Sequence, residues 1–509
     1  MKKRWLSLIL AGAMALPCVG GAMAETTFPL TTENVTFTVF GQRDQNQANW
    51  DDVLVLKRYQ EMTGVTMDWQ EVPAQGYDEV KNLLFASNEL PDIFFRAQLN
   101  NNDITLYGMN SQQLIPLNDL LEENAPNLCA LMEQYPSIRQ RITSADGNIY
   151  TLPTVDISDT GLMGFKQWIN KDWLEALNLK MPTTTEELKE VLIAFRDKDP
   201  NGNGMKDEVP MGIREPSSVY ALGGSFGLQH QLGDTYNVDE NGKVHNWLCD
   251  DNFKTYLQFL NDLYTEGLLW QDYYKNDRPQ WRSNLSNALF GVFYMPYSDV
   301  FLNVESQFTA LPPVKGPNGD QIWADANTPA TIGTFAISDT CKDPALAIRW
   351  VDYFYSKEGS LFFRYGIQGE TYYIDENGQP RMNDDILHAE EGFMTALGKI
   401  NLVPGGANPQ LIDNQTDGIV ASDLTKEVAS VFVPYLPKNI VAKPTVSIDE
   451  ADELNAIEQD LNTYRDTSVT KFILGEWGFD KWDEYCNTLE TIGIRRAEEI
   501  YQAALDASK

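Results

Sequence analysis

Residues 35–40, Val35-Thr36-Phe37-Thr38-Val39-Phe40, alternate with period two and are rich in β-branched and aromatic types, which predicts a strand. A polar stretch over 41–49 reads as a loop. Residues 50–62 then carry Val53, Leu56 and Tyr59 on one side, at helical spacing. A second strand is predicted over 65–72, a second helix over 77–87, and a third strand over 92–95, entered through Pro91. This β-α-β-α-β order implies a parallel or mixed sheet with helices on its faces. Ligands of such sheets bind beyond the carboxyl ends of the strands, here the loops 41–49, 71–76 and 96–102.

A second block starts near residue 155. Thr184 followed three residues later by Glu187 forms a capping box and predicts a helix start. Another start signal near Asp251 precedes a helix through Leu257, Leu260 and Tyr264. Short strands are predicted over 290–294 and 331–337, and an amphipathic helix over 345–355. The last sixty or so residues read as helical, with stripes Leu454, Ile457, Leu461, Tyr464 and Trp482, Tyr485, Leu489, Ile492. Stripes at this spacing are core. No repeat or low-complexity tract interrupts the pattern.

The start of the chain is a different kind of segment. Lys2, Lys3 and Arg4 precede an apolar run over 5–16, and Ala22-Met23-Ala24 is a small-x-small cleavage site. Residues 1–24 therefore read as an export signal removed after Ala24. Cys18 offers a rival reading as a lipidated cysteine, with Pro17 in place of the small residue that a lipoprotein signal requires. No later run reaches the length that spans a bilayer. The expected product is exported, periplasmic or extracellular, and either free or tethered through Cys18.

Composition narrows the function. The chain has 509 residues, room for two to four domains. With 39 basic and 73 acidic residues its net charge is −34, which repels phosphate backbones, so no nucleic-acid partner is expected. Cys129, Cys249, Cys341 and Cys486 are far apart in sequence, with no C-x-x-C pair, and read as small buried hydrophobes. There is no phosphate loop, no H-E-x-x-H and no G-x-S-x-G. His230, His245 and His388 lack partners at metal-ligand spacing and read as surface or packing residues. With so many acids, no carboxylate pair can be singled out for glycoside hydrolysis.

One motif is sharp. The segment from Arg196 to Glu208, RDKDPNGNGMKDE, is a loop for a hard cation, because alternate residues of a tight glycine-containing turn aim oxygens inward. Two registers fit. With Asp197 at position 1, the loop has Asp199, Asn201, Gly202 at position 6 and Glu208 at position 12. With Asp199 at position 1, the ligands are Asp199, Asn201, Asn203, the Met205 carbonyl, Asp207 and Glu208, with Gly204 at position 6. Ligands drawn from one short loop leave little room for substrate, so the expected calcium ion is structural.

Several strings together resemble a known family: Leu90-Pro91-Asp92-Ile93-Phe94, Asp146-Gly147-Asn148-Ile149-Tyr150-Thr151-Leu152-Pro153, Trp168-Ile169-Asn170-Lys171-Asp172-Trp173-Leu174, the cation loop, and Tyr365-Gly366-Ile367-Gln368-Gly369-Glu370-Thr371-Tyr372. In order and spacing, over nearly the whole mature chain, they resemble the family 1 extracellular solute-binding proteins of bacterial ABC importers, in the large calcium-containing subgroup that includes alginate-oligosaccharide-binding proteins. The resemblance implies an α/β, two-lobe periplasmic-binding-protein-like fold (type II) with an interlobe ligand cleft. It implies one lobe from 25–154 plus about 328–398, and another from 155–327 plus about 399–509. It favours the cation register of Asp199, Asn201, Asn203, Met205, Asp207 and Glu208. Gln368 stands where the family often has Glu, and Trp270 where many members have an acid or a small residue.

The implied activity is non-catalytic: a monomer that captures a carbohydrate, an oligosaccharide, and delivers it to an ABC permease in the membrane. A secreted glycan-degrading enzyme and a peptide-binding or sensory receptor are the alternatives. Sugars present apolar faces and hydroxyl rims, so their sites combine flat aromatics with planar polar groups. Candidates at strand ends or loops are Trp50, Arg96, Tyr297, Trp323, Asp325 and Glu370. The acidic surface favours neutral sugars over uronates.

Overall fold

The computed structural model describes residues 26–507 apart from 215–217, 233–234, 299–300 and 439. The expected export signal and the alternative anchor at Cys18 lie outside the described residues. Fourteen strands are described: β1 (Val35–Arg43), β2 (Val65–Pro73), β3 (Ile93–Phe95), β4 (Leu152–Asp156), β5 (Lys166–Asn170), β6 (Val209–Gly212), β7 (Tyr236–Val238), β8 (Val244–Asn246), β9 (Phe290–Met295), β10 (Phe308–Ala310), β11 (Ala330–Ile337), β12 (Tyr372–Ile374), β13 (Pro380–Met382) and β14 (Gln410–Ile412).

They build two α/β lobes. The first holds a six-stranded mixed sheet in the order β14-β4-β11-β3-β1-β2, and the second a four-stranded mixed sheet in the order β10-β5-β9-β6. In the first sheet β1 pairs in parallel with β2 and β3, as the β-α-β-α-β order predicts, while β11 runs antiparallel between β3 and β4. β12 with β13 and β7 with β8 form separate hairpins.

The predicted elements meet the structure closely where packing follows the hydrophobic period. Val53, Leu56 and Tyr59 are all buried. The Tyr59 ring meets Trp350, Tyr353, Phe354 and Phe363 at 5.0–5.6 Å and forms the centre of the first core. The helix expected from Trp50 begins instead as a 3-10 turn, Trp50–Asp52, and turns α-helical only at Leu54–Thr63, because Val53 is extended (ψ 124). β1 runs three residues past its expected end, since pairing with β2 continues through Arg43↔Pro73. Thr184 caps the helix Thr185–Asp197 by accepting from the Glu187 amide at 3.2 Å. The reciprocal arm is displaced by one residue: the Glu187 carboxylate takes the Thr183 amide at 2.8 Å.

The lobes are joined by three crossovers, residues 157–165, 311–329 and 413–422, each running between a strand of the first sheet and an element of the second lobe. The last of them differs from the expected division near 398. β14 pairs in parallel with β4, so the chain stays with the first sheet until Ile412. Three residues of β14 are too short a run to carry a readable alternation.

The helices Ile448–Leu474, Trp482–Ile492 and Ile494–Ala507 close the second lobe. His245 fastens β8 to this layer through Nδ1, 3.2 Å from Glu498 Oε1, and to the start of the helix Asp251–Thr265 through Nε2, 2.8 Å from Asp250 Oδ1. Hydrogen bonds to Asp250 and Glu498 push its pKa up to about 9. A folded-state pKa raised above the unfolded value stabilises the fold fully at low pH and loses that contribution on deprotonation. Thermal stability should therefore decline between about pH 6.5 and 9, and His245→Gln should flatten that decline in melting curves taken across the range.

Candidate functional site: the interlobe cleft

A cavity of about 570 Å³ lies where the crossovers meet. The first lobe contributes Arg141, Asp156, Ala330 and Thr331, the crossovers contribute Thr160, Gly161, Met163, Gly164 and Ala326–Pro329, and the second lobe contributes His230, Tyr297 and residues 440–443. It is thus bounded by both lobes. Its volume is that of a small-molecule site.

The crossovers are tied to one another. Thr160 Oγ1 donates to Asp417 Oδ2 at 2.6 Å, and the Asp159 amide donates to Asn414 Oδ1 at 2.7 Å. The Asn327 amide donates to the Leu162 carbonyl at 2.9 Å, and the Phe165 amide to the Asp325 carboxylate. The Asp156 carboxylate caps the first crossover by accepting from the Ser158 amide at 3.0 Å and hydroxyl at 2.6 Å. A side chain on Gly161 would place its Cβ 2.1 Å from the Asp156 carboxyl carbon, so only glycine lets the crossover fold onto that carboxylate.

Charges gather around this knot. Lys166 is fully buried and donates to the Thr160 carbonyl at 3.0 Å. Its ammonium lies 5.1 Å from the centre of the Tyr297 ring, a cation–π contact. Burial pulls its pKa down to about 8, against the field of Asp325, Asp156 and Asp417. Asp156 and Asp325 are pushed up by burial, partly offset by their hydrogen bonds and nearby cations. Lys426 pairs with Asp417 at 2.8 Å, and buried Arg364 donates to the Thr416 carbonyl at 2.8 Å. Arg141 reaches from the first lobe to donate to the Lys443 carbonyl of the second at 3.0 Å, with its pKa pulled down to about 10 by burial. His230 Nε2 is buried without a hydrogen-bond partner, and burial holds its pKa below the usual imidazole value.

Of the six ligand candidates, Tyr297 lines this cavity, half-buried. Asp325 lies just behind its wall, holding the Phe165 amide. Trp323 is nearby but fully buried, packed 4.5 Å from Phe432 with Nε1 donating to the Phe165 carbonyl at 3.2 Å. Three candidates are elsewhere. Trp50 is fully buried, edge-on to Trp69 and Phe95, and is a core residue. Buried Arg96 staples 402–408 to the end of β3, donating to the carbonyls of Leu402 and Pro404 and to Asn408 Oδ1 at 2.8–2.9 Å. Glu370 is exposed, 3.9 Å from Arg58, beside a surface groove that also contains Gln368. Trp270 packs on Phe290, away from the cleft.

Sequence reasoning missed Arg141, Asp156, Thr160, His230 and Lys443. Asp156 ends a strand of the first sheet, so the strand-end rule would have found it had β4 been recognised. Residues 440–443 lie in irregular backbone without a local signal.

The cation loop leaves the helix Thr185–Asp197. Asp197 is that helix's last residue and turns back to Arg196 at 2.7 Å. Asp199 instead closes the loop, accepting from the amides of Asn203 at 3.1 Å and Gly204 at 2.8 Å. Asn201 and Asn203 carboxamides point at the Asp207 carboxylate at 3.0–3.1 Å, and Gly204 adopts the left-handed φ of 76°. Glu208 Oε1 is buried without a partner, and its carboxyl is pushed up by burial and by Asp207 and Asp199. Among the described residues no three His, Cys, Asp or Glu side chains cluster for a metal; this loop differs in drawing on amide and backbone oxygens as well. An orphaned carboxylate oxygen in the field of two further carboxylates fits a hard cation.

Two lobes, three crossovers and a cleft at their junction describe a solute receptor. The chain belongs to the bacterial extracellular solute-binding protein family, whose model matches residues 45–360. It is 26% identical to the fructooligosaccharide ABC transporter substrate-binding protein FusA of Streptococcus pneumoniae serotype 4, over 94% of this chain and 91% of that protein. It is 20% identical to the polygalacturonan/rhamnogalacturonan-binding protein YtcQ of Bacillus subtilis, over the full length of both. Its fold matches a solute-binding protein of Bifidobacterium longum subsp. infantis (TM-score 0.78, 22% identity, 93% of this chain and 98% of that one). It also matches S. pneumoniae FusA with kestose (0.68, 25%, 92% and 99%) and a FusA EF-hand mutant with fructo-nystose (0.69, 24%, 92% and 99%). The alginate-binding protein AlgQ2 without calcium ion shares the fold as well (0.67, 23%, 94% and 99%).

Trp50→Ala should cost about 3–5 kcal/mol of stability by opening the first core. Tyr297→Ala should leave the melting temperature within a few degrees of the parent. Denaturant titrations of the two variants check this contrast.

Proposed function

We propose that this chain is the carbohydrate-capturing receptor of an ABC importer, exported to the cell surface or periplasm, which holds an oligosaccharide between its lobes and presents it to a membrane permease. The cavity bounded by both lobes carries this reading, because a ligand touching both lobes biases their closed arrangement. The names of its relatives support carbohydrate as the ligand class.

Tyr297 supplies the flat apolar face, with Lys166 behind it. Asp156, Thr160, His230 and Arg141 supply acceptors and donors for hydroxyl groups. The cations around the cavity are mostly engaged with carboxylates or backbone carbonyls, which suits a neutral sugar better than a uronate chain; a polyanion requires a cluster of unpaired cations. Asp325 and Trp323 position the crossover and the wall rather than touch the ligand. The lobes we assign are residues 26–156 with 330–412, and 166–310 with 423–507. We take it to work as a monomer, one chain supplying both walls of the cavity.

Calcium is proposed as a structural ion held by Asp199, Asn201, Asn203, the Met205 carbonyl, Asp207 and Glu208. When bound it supplies charge neutralisation to three neighbouring carboxylates. EDTA should lower the melting temperature relative to excess calcium, and Asp207→Ala should remove that difference; equal melting with and without chelator would exclude the ion.

Kestose, nystose, other neutral oligosaccharides and oligogalacturonate are the probes for the cleft. A neutral oligosaccharide should raise the melting temperature and make the protein more compact in small-angle scattering. At one hundred times Kd the stabilisation is about 2.7 kcal/mol. Tyr297→Ala should weaken that binding by about 1–3 kcal/mol, read by calorimetry. Glu370→Ala should leave it unchanged. Stabilisation by oligogalacturonate alone would overturn the neutral-sugar assignment.

A further inference from the structure

Four consecutive residues of the cavity wall, 440–443, lie in neither a helix nor a strand. They belong to an irregular stretch, 440–447, that leads into the helix Ile448–Leu474. Among the described residues, the backbone of 440–446 is held from outside at two points. From the second lobe the Leu232 amide donates to the Val441 carbonyl at 2.9 Å, and from the first lobe the Arg141 guanidinium donates to the Lys443 carbonyl at 3.0 Å. Side chains add to this hold. Lys443 pairs with Glu458 at 2.7 Å, and its ammonium lies 5.4 Å from the centre of the Tyr501 ring. Thr445 Oγ1 lies 3.5 Å from Asn101 Oδ1 of the first lobe, a long contact. The other walls are built differently. Asp156, Ala330 and Thr331 sit in strands paired within the six-stranded sheet, and the crossovers are tied to one another at Thr160–Asp417 and Phe165–Asp325.

We propose that residues 440–446 are a strap that opens the cavity from the side, independently of the spacing between the lobes, and that Arg141 is the positioning residue that holds it shut. The inference rests on the reading of this cavity as the ligand site. Segments with few backbone hydrogen bonds open locally at lower cost than paired strands. A paired strand gives up a ladder of bonds when it moves, whereas the strap gives up the bonds from Leu232 and Arg141. The Arg141 bond is the stronger kind, because its donor is charged. Arg141 also comes from the opposite lobe, on the helix Pro136–Ile142, so its bond is the one that spans the mouth of the cavity. When shut, the strap is packed: Ala442, Pro444 and Thr445 are buried. Lys443, paired with Glu458 of the helix that follows, keeps the strap on the second lobe when Arg141 lets go. An oligosaccharide can then enter and leave while the cross-tied crossovers stay in place.

Hydrogen–deuterium exchange of the full chain without ligand, read by mass spectrometry, tests this. Arg141→Ala should speed exchange in peptides covering 440–446 about tenfold or more, the effect of losing one hydrogen bond to a charged donor. Peptides from the crossovers, 157–165 and 413–422, should exchange as in the parent, and the small-angle scattering radius of the free chain should not change. Glu458→Gln leaves the cavity lining intact and frees Lys443. It should also speed exchange of the strap, and in stopped-flow mixing with kestose or nystose it should raise the association and dissociation rates together, with Kd unchanged. Should Arg141→Ala fail to fold, Glu458→Gln decides. Strap exchange unchanged in the folded variants, or faster exchange shared by the crossovers with a larger scattering radius, would overturn the strap. If no oligosaccharide raises the melting temperature of the parent, the carbohydrate reading fails instead, and exchange in the free chain still decides the strap.

Discussion

Everything about the cleft depends on how three strands of chain cross between two lobes without leaving polar groups unpaired. The solution is a buried knot of charge. Lys166 carries an ammonium in a site with no exposed surface, near Asp156, Asp325 and Asp417. Its hydrogen-bond acceptor, the Thr160 carbonyl, belongs to the first crossover, whose Thr160 hydroxyl binds Asp417 on the third. The Asp325 carboxylate of the second crossover binds the Phe165 amide of the first. Charges buried in this way contribute little net stability, because desolvation cancels much of their mutual attraction. What they impose is uniqueness: slipping one crossover past another would strand a charge in a low-dielectric interior. The knot therefore fixes where the lobes join, while the edges of the cleft are held by weaker contacts, such as the single Arg141–Lys443 hydrogen bond.

That division explains which parts of the molecule were legible in the sequence. The first three strands and two helices follow hydrophobic periods that the core enforces, and the structure reproduces them to within a few residues. The helix cap at Thr184 was readable because its chemistry is local. β14 was not, because three residues recruited to a sheet edge by β4 carry no periodic signal of their own. The resemblance to a known family placed the fold and the cleft as a whole, which no single string of residues did.

The candidate site was less legible, and the reason is physical. A flat aromatic at a strand end looks the same in sequence whether it faces a ligand or a core. Trp50 and Trp323 became core because their neighbours, Trp69 and Phe95 for one and Tyr294 and Phe432 for the other, surround them completely. Tyr297 instead lines the cavity, half-buried, with its ring facing the Lys166 ammonium. Arg96 shows the converse error. Its strand-end position was read correctly, yet its guanidinium is consumed by backbone carbonyls of a returning segment that sequence proximity could not reveal.

Charge resolves the remaining tension between an acidic molecule and its proposed ligand. A net charge of −34 acts over the whole surface, but it is screened beyond about 8–10 Å at physiological salt. Inside the cleft the sign is set by the few groups within that distance. There Arg141, Lys166, Arg364 and Lys426 stand against Asp156, Asp325 and Asp417, and most of these are already engaged with one another or with backbone. What lines the cavity is a half-buried aromatic ring and a rim of polar groups, most of them already engaged. Such a site discriminates by hydroxyl geometry rather than by charge. The strong acidity of the exterior then serves solubility, and it penalises anionic polymers at a distance without weakening a neutral ligand at contact.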